Sequence, residues 1–166
     1  SIPVDCDFTD TSAGEHTSGD VSSYYAFKNA CANITDVTIT KGMTGVGINL
    51  DETTRKYAPW QRYNCNTQYK LNITFEEGVK SIGTYYCNHY LGNYFKNLTV
   101  PTTLESVSSN AFSNMYSLDF YWNAKNCSVA DKAFYKMASD GGMTLHFGEE
   151  VESVPYNLTC GAITGD

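Results

Sequence analysis

The chain has 166 residues, 42% of them hydrophobic and only 17% charged, with 11 Lys+Arg against 18 Asp+Glu for a formal charge of −7. That length suits one domain with a real core, and the hydrophobic share argues against wholesale disorder. The acidic balance lacks the basic footprint of a nucleic-acid binder, and no run approaches the roughly 18 apolar residues of a membrane span.

Residues 1–33 carry no repeat. Asp5-Cys6-Asp7-Phe8 reads as a short strand, the Ser/Thr/Gly-rich stretch 9–23 as a loop, and Asp20–Phe27 as a strand or short helical turn. Their expected role is to cap the open end of the repeat region downstream. Gly42-x-x-Gly45-x-Gly47 lacks the Gly-Lys-Ser/Thr ending of a phosphate loop and reads as a hairpin. Residues 48–68 form a long insertion carrying Pro59-Trp60. The division expected is therefore a cap over 1–68, with hairpin and insertion, and a repeat region of about four units over 69–166.

From residue 71 a period takes over. The strand-end apolar positions Phe75, Val100, Trp122 and Phe147 are spaced 25, 22 and 25, and so are Ile82, Val107, Val129 and Val154. Two series that slip by the same amounts define a true repeat. Val79, Leu104, Asn126 and Val151 fill a column between them, polar only at Asn126. Ala-Phe at 111–112 and 133–134 adds one aromatic per unit; Tyr85-Tyr86-Cys87 and Leu158-Thr159 replace it in the first and last units. One such unit has too little core to stand alone, so neighbours must stack into a solenoid.

The predicted fold is a right-handed leucine-rich-type solenoid with one short strand per turn in a parallel sheet. Inward positions are Ile73, Phe75, Val79, Ile82, Leu98, Val100, Leu104, Val107, Phe112, Phe120, Trp122, Val129, Phe134, Leu145, Phe147, Val151 and Val154. Alternation along each strand then turns Asn72 and Thr74, Asn97 and Thr99, Asp119 and Tyr121, and Thr144 and His146 outward. Stacked about 4.8 Å apart, these eight make a two-column polar patch roughly 14 Å long, flanked by Glu76 and Asn123. It is the expected ligand-binding surface, with Tyr121 as its aromatic anchor.

Catalytic and metal signatures are weak. His16, His89 and His146 stand far apart, with neither a nucleophile elbow nor an HExxH motif. A Cys–His pair such as Cys65 or Cys87 with His89 is a remote cysteine-hydrolase reading, because Cys87 falls in a core column. The six cysteines contain no CxxC pair, which disfavours zinc. If a disulfide exists, Cys6 with Cys31 is the expected one, while Cys87 is expected buried and need not be bonded. Asp5-x-Asp7-x-x-Asp10 lacks the glycine and glutamate of a calcium loop, and Glu76-Glu77 and Glu149-Glu150 read as solvated turns. No metal and no cofactor is expected. Five Asn-x-Ser/Thr sequons, at Asn33, Asn72, Asn97, Asn126 and Asn157, are glycan sites only in a suitable host.

The segments "EEGVKSIG" (76–83) and "VPTTLESVSSNAF" (100–112) resemble the BspA-like leucine-rich repeat family. The likeness extends from about residue 34 to 160, since the Gly-rich segment after Val37-Thr38-Ile39 and Pro59-Trp60 look like elements preceding such repeats in some members. The resemblance implies a surface-exposed, host-associated protein of bacterial type, often linked to adhesion; with the weak catalytic signatures and the missing membrane span, the expected function is a secreted or cell-surface, non-catalytic module that binds a protein or glycan without inserting into a membrane. The alternative is a structural spacer or stalk within a larger surface protein.

Overall fold

The computed structural model describes residues 35–42, 46–47, 71–87, 95–115, 118–137 and 142–160, with only the backbone of Thr159 and Cys160. Its elements are β1 (Asp36–Ile39), β2 (Leu71–Phe75), β3 (Ser81–Ile82), β4 (Phe95–Val100), β5 (Ser106–Val107), β6 (Leu118–Trp122), β7 (Ser128–Val129), β8 (Met143–Phe147) and α1 (Tyr156–Cys160). Every strand pair is parallel: β1-β2-β4-β6-β8 form one sheet and β3-β5-β7 a second. Three turns of the solenoid thus carry a second, two-residue strand besides the expected one.

The register follows the repeat. Ile73, Leu98, Phe120 and Leu145 align across neighbouring strands. Beyond Thr74↔Thr99 the next column runs Phe75, Val100, Trp122 and Phe147, as the spacing requires. Asp36–Ile39 adds a fifth rung, placing Val37 on Ile73 and Ile39 on Phe75. Lys96 is extra: Leu71 faces Phe95 but Asn72 faces Asn97, so β4 bulges at its start and regains register within two residues.

Apolar alternation explains why these segments are strands. Leu71, Ile73 and Phe75 are buried, Asn72 is half-buried and Thr74 is exposed; β6 repeats the pattern with Leu118, Phe120 and Trp122 inside. The interior is built largely of rings. Phe112 stacks on Phe134 at 5.6 Å and 8°, while Trp122 meets Phe120 edge-on at 5.8 Å and Phe134 at 5.9 Å. Offset and edge-on arrangements of this kind add to the area they bury. Among the described residues Trp122 Nε1 has no acceptor, a polar cost accepted inside that aromatic column.

A further backbone ladder runs along the Ala-Phe arcs. Cys87 N–H donates to Ala111 O (2.8 Å), Phe112 N–H to Ala133 O (2.9 Å) and Asn114 N–H to Tyr135 O (3.0 Å). The arcs are tight because the residue before each Ala-Phe position is left-handed: Tyr85 (φ 59°), Asn110 (φ 56°) and Lys132 (φ 61°) occupy one column. Nothing in a non-glycine sequence announces this, and only Asn110 is a residue type that tolerates it well.

Two expected inward positions come out exposed, and the one polar residue of a core column leaves that column. Asn126 is exposed; the third turn reshapes so that Ala124 and Cys127 fill the interior on either side of it. An amide has no partner in an apolar column, so the chain rotates it out, where its Oδ1 accepts from Ser153 Oγ (3.3 Å). Phe147 and Val154 are 46% and 48% exposed rather than buried. They lie on the last rung, and no strand among the described residues stacks beyond it. Leu145, Val129 and Val151 are half-buried and pack against the core from its margin. The rest of the expected core is buried.

Cys87 is fully buried and unbonded; Cys127, 9% exposed, is unbonded too. Cys6, Cys31, Cys65 and His89 lie outside the described residues, as do the loop 9–23 and the insertion 48–68.

Replacing Val100 by Ala removes two methyl groups from between Phe75 and Trp122 and should cost about 2–4 kcal/mol, read by chemical denaturation. Asn110→Ala should cost about 1 kcal/mol through its left-handed backbone, whereas Asn110→Gly should cost clearly less.

Candidate functional site

All eight residues expected to point outward do lie on the outer face of the five-stranded sheet. Asn72, Asn97, Asp119 and Thr144 align in one column, and Thr74, Thr99, Tyr121 and His146 in the next. β1 extends both columns with Asp36 and Thr38, which the repeat spacing alone does not reveal. The signal was present: Asp36-Val37-Thr38-Ile39 has the same polar, apolar, Thr, apolar order as Asn72–Phe75 and Asn97–Val100.

The two columns differ in chemistry. In the first, Asn72 Nδ2 donates to Asp36 Oδ1 and Asn97 Nδ2 donates to Asn72 Oδ1, both at 2.8 Å. Hydrogen bonds from Thr35 and Asn72 hold the Asp36 carboxyl below its usual range. This half of the column is satisfied by its own neighbours. The second column begins with the hydroxyls of Thr38, Thr74 and Thr99, in register on adjacent strands. It ends in two rings: Tyr121 and His146 stack with centroids 4.3 Å apart and planes 9° from parallel.

His146 joins the columns. Its Nε2–H donates to Asp119 Oδ1 at 3.0 Å, so the carboxylate fixes the ring and the ring fixes Tyr121. Both side chains remain substantially exposed. The result is a preset aromatic pair at the β8 side of an otherwise amide, hydroxyl and carboxylate surface. Such a surface offers directional hydrogen bonds and one flat apolar contact.

The flanking turns are tied down by charge. Glu77 accepts from Thr102 N–H (2.9 Å) and Thr102 Oγ1 (2.8 Å). Lys80 pairs with Glu105, and Lys125 with Glu150 at 3.1 Å. Glu76 is exposed and accepts from Lys41 N–H at 3.2 Å. Asn123 covers Gly148 so closely that a Cβ there would lie 2.6 Å from Asn123 Oδ1. A shallow hollow beside Lys41, Gly47, Gly78 and Lys80 is a poor ligand site, since Lys80 is paired and Gly78 N–H is taken by Thr103 Oγ1.

Neither Cys87 nor Cys127 is an activated nucleophile. Burial pushes the Cys87 thiol up, and that of Cys127 up to about 12, opposite to what thiolate catalysis requires. No cluster of three metal-ligating side chains occurs among the described residues, and no helix among them is long and apolar enough to cross a membrane.

The profile of the BspA type leucine rich repeat region (6 copies) matches residues 61–157, more than half of the chain. The chain therefore belongs to the BspA-type leucine-rich repeat family. Searches of the curated proteins and of the solved structures return no match.

The turn chemistry gives a pH test. Partial desolvation raises the Glu77 carboxyl, but hydrogen bonds from Thr102 and Thr103 outweigh it and hold it below the ordinary value of 4.5. A folded-state value below the unfolded one stabilises the fold fully above pH 4.5, and that support is lost as pH falls through the lowered value. Melting temperature followed downward from neutral pH should therefore fall less steeply below that point in Glu77→Gln than in the wild type.

Proposed function

We propose that this chain is a secreted or cell-surface repeat module that binds a protein or glycan partner through the outer face of its five-stranded sheet and has no catalytic role. One observation carries the reading: the outward residues form a contiguous polar patch that ends in the fixed Tyr121–His146 pair. Rigid rings held at low entropic cost are the usual anchors of recognition surfaces, and surrounding amides and hydroxyls supply adaptable hydrogen bonds. Membership of a repeat family agrees, because stacked repeats present extended surfaces to partners.

The anchor sits at Tyr121 and His146, with Asp119 orienting His146 and Thr99 next in the column. Asn72 and Asn97 spend their amides on each other and on Asp36, so they shape the surface more than they grip a ligand. That same internal satisfaction favours a second reading, in which the module is a spacer or stalk of a larger surface protein and the ladder serves stiffness.

Screening the chain on protein and glycan arrays separates the two readings: a spacer binds nothing selectively. For any partner found, the double substitution Tyr121→Ala/His146→Ala should abolish binding while leaving the melting temperature nearly unchanged. Both rings lie outside the core. Undiminished binding by that variant places the site on another face.

A further inference from the structure

We infer that the anchor takes a neutral hexose of a glycan, its C–H face against the free face of Tyr121 and its hydroxyls on the threonines beside it. This assignment rests on the proposed ligand-binding face and names its ligand class.

The orientation of the ring comes first. Tyr121 and His146 align on neighbouring strands, with planes 9° from parallel and centroids 4.3 Å apart. Rings so close and so parallel overlap face to face, so the stack runs from strand to strand and each ring stands upright on the sheet. His146 covers one face of Tyr121. The other face looks back toward β4, where Thr99 is the aligned residue, with Thr74 next on β2. A threonine ends one atom beyond its Cβ, where the phenol ring only begins. Tyr121 is therefore a wall above a low floor. Thr74 is exposed, and Thr99 and Tyr121 are each partly so. The step lies inside the sheet, since β4 and β8 pair with β6 on either side.

Polar capacity around the step is unspent. Among the described residues the hydroxyls of Thr74 and Thr99 have no hydrogen-bond partner. Asn97 uses its Nδ2 but not its Oδ1, and Asp119 meets His146 with only one of its two oxygens. A flat apolar wall beside groups that donate and accept matches a pyranose, which carries C–H groups on its face and hydroxyls at its rim. A protein partner fits less well. Protein interface cores draw on several aromatic, Met and Arg side chains, whereas Tyr121 is the one such residue among the outward positions of β2, β4 and β6. Charge narrows the sugar further. The Asp119 carboxylate, in a chain of charge −7, disfavours sialic and uronic acids and leaves a neutral hexose.

Saturation-transfer NMR of the 166-residue chain with maltose, cellobiose, lactose, mannobiose and sialyllactose tests this. The expected result is transfer to the C–H protons of one ring face in at least one neutral disaccharide, and none to sialyllactose. A dissociation constant of about 1 mM suits one stacked ring and a few hydrogen bonds. Tyr121→Phe should keep binding within about twofold, Tyr121→Leu should weaken it at least about tenfold, and Thr99→Val about fivefold. Wild-type amide shifts decide the matter even if a variant folds poorly, because the sugar should move Thr74, Thr99 and Tyr121 and leave Val107 and Val129 in place. No transfer from any neutral disaccharide at about 10 mM sugar, far above that constant, overturns the assignment. So do transfer to sialyllactose and full binding by Tyr121→Leu. If the sugars fail while a protein found by array binds and is lost in Tyr121→Ala/His146→Ala, only the sugar assignment falls. If neither binds, the ligand-binding face falls with it.

Discussion

Everything in this molecule depends on the inability of one turn to bury its own apolar side chains. A five-residue strand and a short return segment enclose almost no volume, so Ile73 or Phe120 leaves water only because the same column is apolar on the turns above and below. Backbone pairing enforces the alignment. N–H groups of one turn reach carbonyls of the previous one through the strands, as in Ser108 to Ile82 and Ala130 to Val107, both 2.9 Å. On the Ala-Phe arcs the direction reverses, as in Phe112 to Ala133. Bonds running both ways around the circumference leave little freedom for one turn to slip against the next.

Aromatic residues deepen that constraint. Phe112, Phe120, Trp122 and Phe134 contact one another within a single region of the core, with centroids 5.6 to 6.1 Å apart. A large ring fills one turn's share of the interior and part of its neighbour's, so substitutions there are felt across turns. Cys87 marks where the aromatic column stops. It occupies the Phe112 position of the first unit, and Tyr86 beside it contacts Phe75 at 6.2 Å.

The strand positions were legible because alternation and the matched 25, 22, 25 spacing encode both which residues stack and which face outward. What escaped was whatever broke the period or depended on backbone geometry. β1 shares the strand pattern, but Asp36 precedes its partner Asn72 by a longer interval than any later repeat, and the intervening insertion hides it. Asn126 keeps its place in the count while leaving the core, because desolvating an unpaired amide costs more than reshaping a turn around Ala124 and Cys127. The left-handed column at Tyr85, Asn110 and Lys132 has no shared residue type to reveal it. Phe147 and Val154 obey the repeat in sequence and fail it in burial, since burial is a property of the next rung rather than of their own.

The outer face follows a different economy from the core. Each outward residue sits a fixed strand spacing from its neighbours, so a polar side chain either bonds along its column or stays available to something else. Asp36, Asn72 and Asn97 take the first course. Thr74 and Thr99 present hydroxyls, and the column changes character at Tyr121, where a ring replaces them. A lone tyrosine on a flat sheet would sample several rotamers. Stacked on His146, itself held by Asp119, it keeps one. Three residues on the adjacent strands β6 and β8 thus turn a repetitive surface into one with a single distinct point.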